Sequence, residues 1–251
     1  MIKLLYKKGI TMYSMKNILI GSMVLSLLPG CFGSGIKGSG VAASKEVACS
    51  NVNKVKISGV GKLIITQSKD QNESLKIDAD DNILPLIVSN VSHNELEIKI
   101  QDDKKVNPSV PLVYNLTVKD ITKVDVSGTM VVELSNVQAN ALDIVTFGNV
   151  NVTGKVDVEK IQMTSAGISN FVLSGRADFQ KFTSKGSCSF DGTNLKGKEA
   201  HLEMSGAGTV TLNVSDAING SVSGASEVSY LNNPVVKATA SGISSISKAK
   251  A

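Results

Sequence analysis

Between Val124 and Ile246, apolar residues recur in two columns set around a third column of glycines. The glycines are Gly128, Gly148, Gly167, Gly186, Gly206, Gly224 and Gly242, each 18 to 20 residues from the next. Four residues after each stands Val132, Val152, Phe171, Phe190, Val210, Val228 or Ile246. Four residues before stands Val124, Ile144, Met163, Phe182 or Leu202, and then Gly220 and Ala238. Polar residues alternate with these, the period of a strand that buries one face. A unit this short cannot bury its own apolar face and must stack on the next, which predicts a solenoid. The expected fold class is all-β, a right-handed parallel β-helix, its hand following crossover chirality. Both columns would point inward, with glycine where the chain turns, because glycine accepts positive φ without steric cost. An antiparallel sandwich of short strands would also give frequent turns, but it would not hold glycine and both columns in one frame. The small residues at 220 and 238 are expected of a narrowing or capping rung.

The same frame reaches back into a β-rich N-terminal half. Val55 lies four before Gly59 and Leu63 four after it. Lys54-Val-Lys-Ile-Ser-Gly parallels Lys123-Val-Asp-Val-Ser-Gly, 69 residues later. This suggests an internal duplication, with sub-halves 47–120 and 121–251 inside one solenoid domain, 47–251. Ser74–Asp80, Glu95–Ile100 and Val110–Val118 read as strands; Pro111 sits near a strand start, where a missing donor is tolerated. No helical periodicity extends beyond a turn or two.

Ahead of the body, residues 15–31 have the form of a secretory signal: Met-Lys-Asn, an apolar core and a small-residue exit. The core, Ile18 to Leu28, is eleven residues, too short to span a bilayer as a helix. Leu28-Pro29-Gly30-Cys31 resembles the lipobox of bacterial lipoproteins, which implies cleavage before Cys31 and attachment of lipid to its thiol. Residues 1–30 are therefore expected to be the signal peptide, with Met12 or Met15 the true start. Phe32 is not the Asp that retains lipoproteins in an inner membrane, so in a cell with two membranes the outer one is expected. Residues 31–46, Gly/Ser-rich after the anchor, are expected to form a flexible tether. Gly33-Ser-Gly35-Ile-Lys-Gly38 matches a dinucleotide-binding pattern by letter but lacks the strand before it and the helix after it.

The body carries a family resemblance. Val55-x-Ile57-x-Gly59 with Leu63-x-Ile65-x-Gln67, then Leu75-x-Ile77-x-Ala79-Asp80, Ile83-Leu84…Val88 and Asn94-Glu95-Leu96-x-Ile98, resembles the head GIN domain family of auto-transporter adhesins. The likeness runs from about residue 47 to 245 and implies a secreted or lipid-anchored bacterial protein with a β-helical body.

Charge narrows the partners. The net charge is +4, and Lys3, Lys7, Lys8 and Lys16 account for all of it. A neutral body with Arg176 as its one arginine has no electrostatic footprint for nucleic acid. The expected partners are the membrane, through the anchor, and a protein or glycan; exposed terminal strands could also join copies into a homo-oligomer.

Candidate chemistry is sparse. Of the two histidines, His93 falls in a polar turn and His201 on an outward phase, and no Gly-x-Ser-x-Gly elbow accompanies them. Cys49 and Cys188 lack the paired spacing of a metal site. They could pair outside the cytoplasm, or Cys188, in phase with the inward columns, could stay a buried free thiol; both fit the spacing. The acids Asp125, Asp143, Asp157, Asp178, Asp191 and Asp216 take different offsets from their glycines, so they would not stack into one cluster. Arg176 and Asp178 share an outward phase, the one arrangement here compatible with a glycan-active site. No catalytic residue, metal ligand or cofactor is assigned. The expected function is a non-enzymatic, lipid-anchored envelope protein, adhesin-like or a scaffold; the alternative is a carbohydrate-binding or carbohydrate-active β-helix.

Overall fold

A computed structural model describes residues 35–102 and 104–249. The strands are β1 (Ile36–Lys37), β2 (Ala42–Ala48), β3 (Lys54–Gln67), β4 (Ser74–Asp80), β5 (Ile87–Ser92), β6 (Glu95–Ile100), β7 (Val106–Asn107) and β8 (Val113–Val118). They continue with β9 (Lys123–Ser184), β10 (Ser187–Tyr230), β11 (Val235–Val236), β12 (Thr239–Ala240) and β13 (Ser245–Lys248). Among the described residues the one helical element is a single 3-10 turn at Leu84–Leu86; Pro85 lies in its first positions, where a missing N–H costs nothing. The fold is all-β, as the alternation predicts.

Most of the strands form one large, mostly parallel sheet whose main path runs β11-β10-β9-β3-β8-β4-β2, and β1 and β7 form a separate two-stranded sheet. β3 pairs with β9 in parallel from Lys54↔Lys123 to Thr66↔Ser135, which places Gly59 beside Gly128 and Leu63 beside Val132. The 69-residue offset that suggests a duplication is thus the pairing register itself. β10 pairs with β9 in parallel nineteen residues apart at Phe190↔Phe171 and twenty apart at Leu202↔Phe182. The extra residue is absorbed by a bulge between Asp191 and Asn194, where Asp191 accepts the Thr193 N–H at 3.0 Å. β11, β12 and β13 add to β10 eighteen residues on, as Ala217↔Val235, Ser221↔Thr239 and Val228↔Ile246. The uneven spacing of the glycines is therefore the register of successive passes.

At the other end the sheet changes character. β6 and β8 pair in parallel with the two halves of β3, and each then turns antiparallel, β6 to β5 and β8 to β4. β2 pairs antiparallel with β4, from Ala42↔Asp80 to Ala48↔Ser74, and β1 pairs with β7. Much of the stretch expected to be a flexible tether is thus strand. The correction has a simple cause: Ala43 and Val47 pack on the core, a gain that the Gly/Ser composition conceals.

Both apolar columns face inward. Val124, Ile144, Met163, Phe182 and Leu202 are buried, as are Val132, Val152, Phe171, Phe190, Val210 and Val228. Phe182 meets Phe171 edge-on at 5.9 Å and stacks on Phe190 at 5.6 Å, giving the middle rungs an aromatic core. Near the C-terminal end of the described residues, Ala238 and Ile246 are only partly buried. Gly220 has a different reason to be small: its φ is 110° and a Cβ there would run into the Leu202 carbonyl. Polar groups enter the interior beside the glycine corners, where the Thr146 and Ser169 hydroxyls lie 2.9 Å apart.

Asp80 ties the N-terminal segment to this body. Fully buried, its carboxylate accepts backbone N–H bonds from Gly40 at 2.8 Å, Ser109 at 3.0 Å and Val110 at 3.2 Å. Gly38 lies so close that a Cβ would strike the carboxylate. Burial pushes the Asp80 pKa up, but backbone donors, those of Gly40, Val110 and Ser109 together with its own, outweigh it and hold the group below its ordinary value. Alternation alone would not find this residue, since Ala79 and Asp80 are adjacent and both buried.

Candidate functional site

A broad concavity lies where the inserted strands β4–β8 rejoin β9. Gln67, the last residue of β3, organises it. Its Oε1 accepts the Gln138 N–H at 2.7 Å, and its Nε2 donates to the carbonyls of Gln138 at 3.0 Å and Lys119 at 3.1 Å. A side-chain amide thus replaces a strand residue and holds the end of β8 beside β9. Asn136 sits at φ 52°, a left-handed step that asparagine tolerates. Ala139 and Ala141 are small, and the space left is a cavity of about 610 Å³.

Lys69, Lys119, Asp120, Asn140, Asp143 and Gln162 line it. A second hollow of about 320 Å³ shares Gln138 and Asn140 and adds Asp157, Glu159 and Arg176. The two form a shallow groove furnished with amides and charges of both signs. Such a surface can hydrogen-bond a polyhydroxylated or peptidic ligand. Asp143 lines the first hollow and Asp157 the second. Among the described residues, no three His, Cys, Asp or Glu side chains gather closely enough to hold a metal ion.

Arg176 and Asp178, the pair singled out in the sequence, are joined in a two-pronged ion pair of 2.9 and 2.6 Å. Lys198 adds a third contact to Asp178 at 3.1 Å, and Asp157 faces Arg176 at 3.8 Å. Arg176 first and Lys198 second hold the Asp178 carboxyl below its ordinary pKa. A glycosidase acid needs the opposite shift, so Asp178 is suited to an ion-pair network and unsuited to donating a proton near neutrality.

The remaining candidates lie away from the groove. His93 is exposed in its turn at φ 52°, beside the Ser92 hydroxyl at 2.9 Å. His201 lies on the outward phase, 3.1 Å from Glu203. Cys188 is buried and Cys49 half-buried, and both are free thiols; burial raises the pKa of each. Cys31 lies outside the described residues. The residue that sequence reasoning missed is Gln67. Its position at the end of an alternating strand was visible, but its partners come from segments 52 and 71 residues away.

Comparison with known proteins places the chain. No curated protein matches it. A "putative adhesin" from Bacteroides fragilis NCTC 9343 has a similar crystal structure, with TM-score 0.82 and 26% identity over 86% of this chain and 100% of its own. A "putative lipid binding protein" from Parabacteroides distasonis ATCC 8503 is similar in fold at TM-score 0.70 and 20% identity, over 86% of this chain and 99% of its own. A "putative adhesin" from Parabacteroides merdae ATCC 43184 shares the fold at TM-score 0.62 and 16% identity, over 86% of this chain and 99% of its own. The family described as "Putative auto-transporter adhesin, head GIN domain" matches residues 51–234, so the chain belongs to the head GIN domain family.

Proposed function

We propose that the protein is a non-enzymatic module of the cell envelope, a right-handed parallel β-helix spanning residues 47–251 and held at a membrane by lipid on Cys31. One observation carries this reading: the repeat spends its inward positions on core, while a short segment joins the body to a lipobox-like cysteine. The outward residues then form a display surface, and the protein acts by where it holds that surface. Removal of residues 1–30 and acylation of Cys31 would leave several acyl chains, each buried methylene contributing about 0.8 kcal/mol to membrane binding. In a cell with two membranes, the outer one is the expected home. The family's adhesin description agrees with a surface or envelope location.

Radiolabelled palmitate and membrane fractionation test the anchor. Label should enter the wild-type protein and not Cys31→Ser, and the variant should leave the membrane fraction. A Cys31→Ser protein that still sediments with membranes overturns the anchor.

A second reading follows from the groove at Gln138–Asn140. Its amides and carboxylates suit sugar hydroxyls, and a carbohydrate ligand would make the adhesin-like role specific. Saturable binding on a glycan array, lost in Asn140→Ala and Gln162→Ala, would support it. An array that shows no binding, while the folded protein still captures a protein partner, would overturn it.

A further inference from the structure

The glycine corners stack into one continuous edge. A Cβ placed on Gly128, Gly148, Gly167, Gly186, Gly206, Gly224 or Gly242 would strike the carbonyl oxygen of the preceding glycine in the series, starting from Gly59. With rungs about 4.8 Å apart, eight corners make an edge roughly 34 Å long. None of the five-residue corners centred on these glycines contains Asp or Glu, although the chain has 22 acids; Lys185 is their one charge. Small residues flank most of the corners, and three large apolar side chains stand out from them. Phe147 is 65% exposed, Ile168 62% and Ile243 85%.

The first end of this edge lies beside the entry of the chain. There a cavity of about 350 Å³ is lined by Val60, Ile100, Val106 and Gly128, with Lys104 and Lys105 beside them. Gly35 packs on that same segment: the Lys105 carbonyl accepts the Ile36 N–H at 2.7 Å. Cys31 lies four positions before Gly35, a stretch that can span at most about 14 Å. Acyl chains on Cys31 would therefore enter a membrane close to the first corners.

We infer that the glycine edge is a membrane-contact surface: it lies on the phospholipid bilayer that the Cys31 lipid enters, with Phe147 and Ile168 in the interfacial layer. This rests on the lipid-anchor reading. One lipid anchor leaves a body free to swivel, and a second, apolar contact orients it. Corners free of carboxylates avoid repulsion from anionic headgroups. The polar flanks, including the groove at Gln138, are then turned outward for display.

The chain contains no Trp, so one introduced tryptophan is an unambiguous reporter. The mature, lipidated protein carrying Phe147→Trp is reconstituted into phosphatidylcholine–phosphatidylglycerol vesicles with brominated acyl chains, and flotation is measured in parallel. The expected result is flotation with a blue shift and loss of emission for Phe147→Trp, and likewise for Ile168→Trp as a second reporter. Phe179→Trp, on a flank, should keep its emission. Flotation with both edge reporters unquenched overturns the edge contact and leaves the anchor standing. Lipidated protein that does not float overturns the anchor and the edge with it. A blue shift that depends on protein concentration and needs no vesicles makes the edge a protein contact and overturns the inference.

Discussion

Gly59 and Gly128 are register partners on neighbouring strands, and the backbone of one occupies the space that a side chain on the other would need. The relationship recurs along the edge, so each corner is shaped by the corner before it. Gly148 shows the two demands together. Its φ is 106°, and a Cβ there would stand 2.5 Å from the Gly128 carbonyl oxygen. Gly148→Ala should cost about 2–4 kcal/mol, adding backbone strain to overpacking. Gly40→Ala is the control: φ is 83°, but nothing lies within 4 Å of the added carbon. Its cost should be about 1–2 kcal/mol, strain alone. Urea denaturation of the two variants separates the terms, and equal losses would show that stacking adds nothing.

The aromatic core should be far less tolerant than the exposed aromatic. Phe182 touches both Phe171 and Phe190 and is buried. Phe182→Ala should lose about 3–5 kcal/mol through transfer and cavity terms. Phe147→Ala, at an exposed corner, should stay within about 0.5 kcal/mol of wild type. Calorimetric melting of both variants gives the comparison, and a large loss at 147 would mean that this ring packs in the body.

Acid should loosen the N-terminal segment through Asp80. Its folded-state pKa lies below the unfolded value, so its contribution to stability is present above the unfolded pKa. That contribution is lost as pH falls through the folded pKa. Asp80→Asn should be less stable than wild type near neutrality, and the difference should shrink in acid. Hydrogen exchange at Gly40, Ser109 and Val110 across the pH range would follow it, and a deficit unchanged down to low pH would remove Asp80 from the explanation.

Gln67 tests how the groove is held. Gln67→Met keeps the length but removes three hydrogen bonds, which should cost about 1–3 kcal/mol. Gln67→Glu should cost more, because a carboxylate oxygen would face the Lys119 and Gln138 carbonyls in place of a donor. Urea denaturation ranks the two, and a Glu variant as stable as wild type would mean that the amide does not clamp the strands.

The repeat was readable because its physics is local. Alternation assigns faces, glycine marks corners, and a shared frame keeps the two apolar columns together at every pass. Spacings of 18, 19 and 20 residues even carry the register, since each equals an observed pairing offset. The likeness of the segments at Lys54 and Lys123 was readable as well, but as a duplication; that the two strands pair was not, since similarity between stacked strands looks the same as similarity between duplicated halves.

Long-range meetings were hidden. Nothing near Gln67 announces that it will hold Lys119 and Gln138, and nothing near Asp80 announces that Gly40 and Ser109 will need an acceptor. The strand at Ala42–Ala48 was masked by its Gly/Ser surroundings, because it is held by pairing with β4 and by Ala43 and Val47 packing on a core built from distant segments. The architecture followed from periodic local demands written into the chain. The groove, the buried carboxylate and the stacking of the glycine corners into an edge were decided only when the folded backbone brought separate segments together.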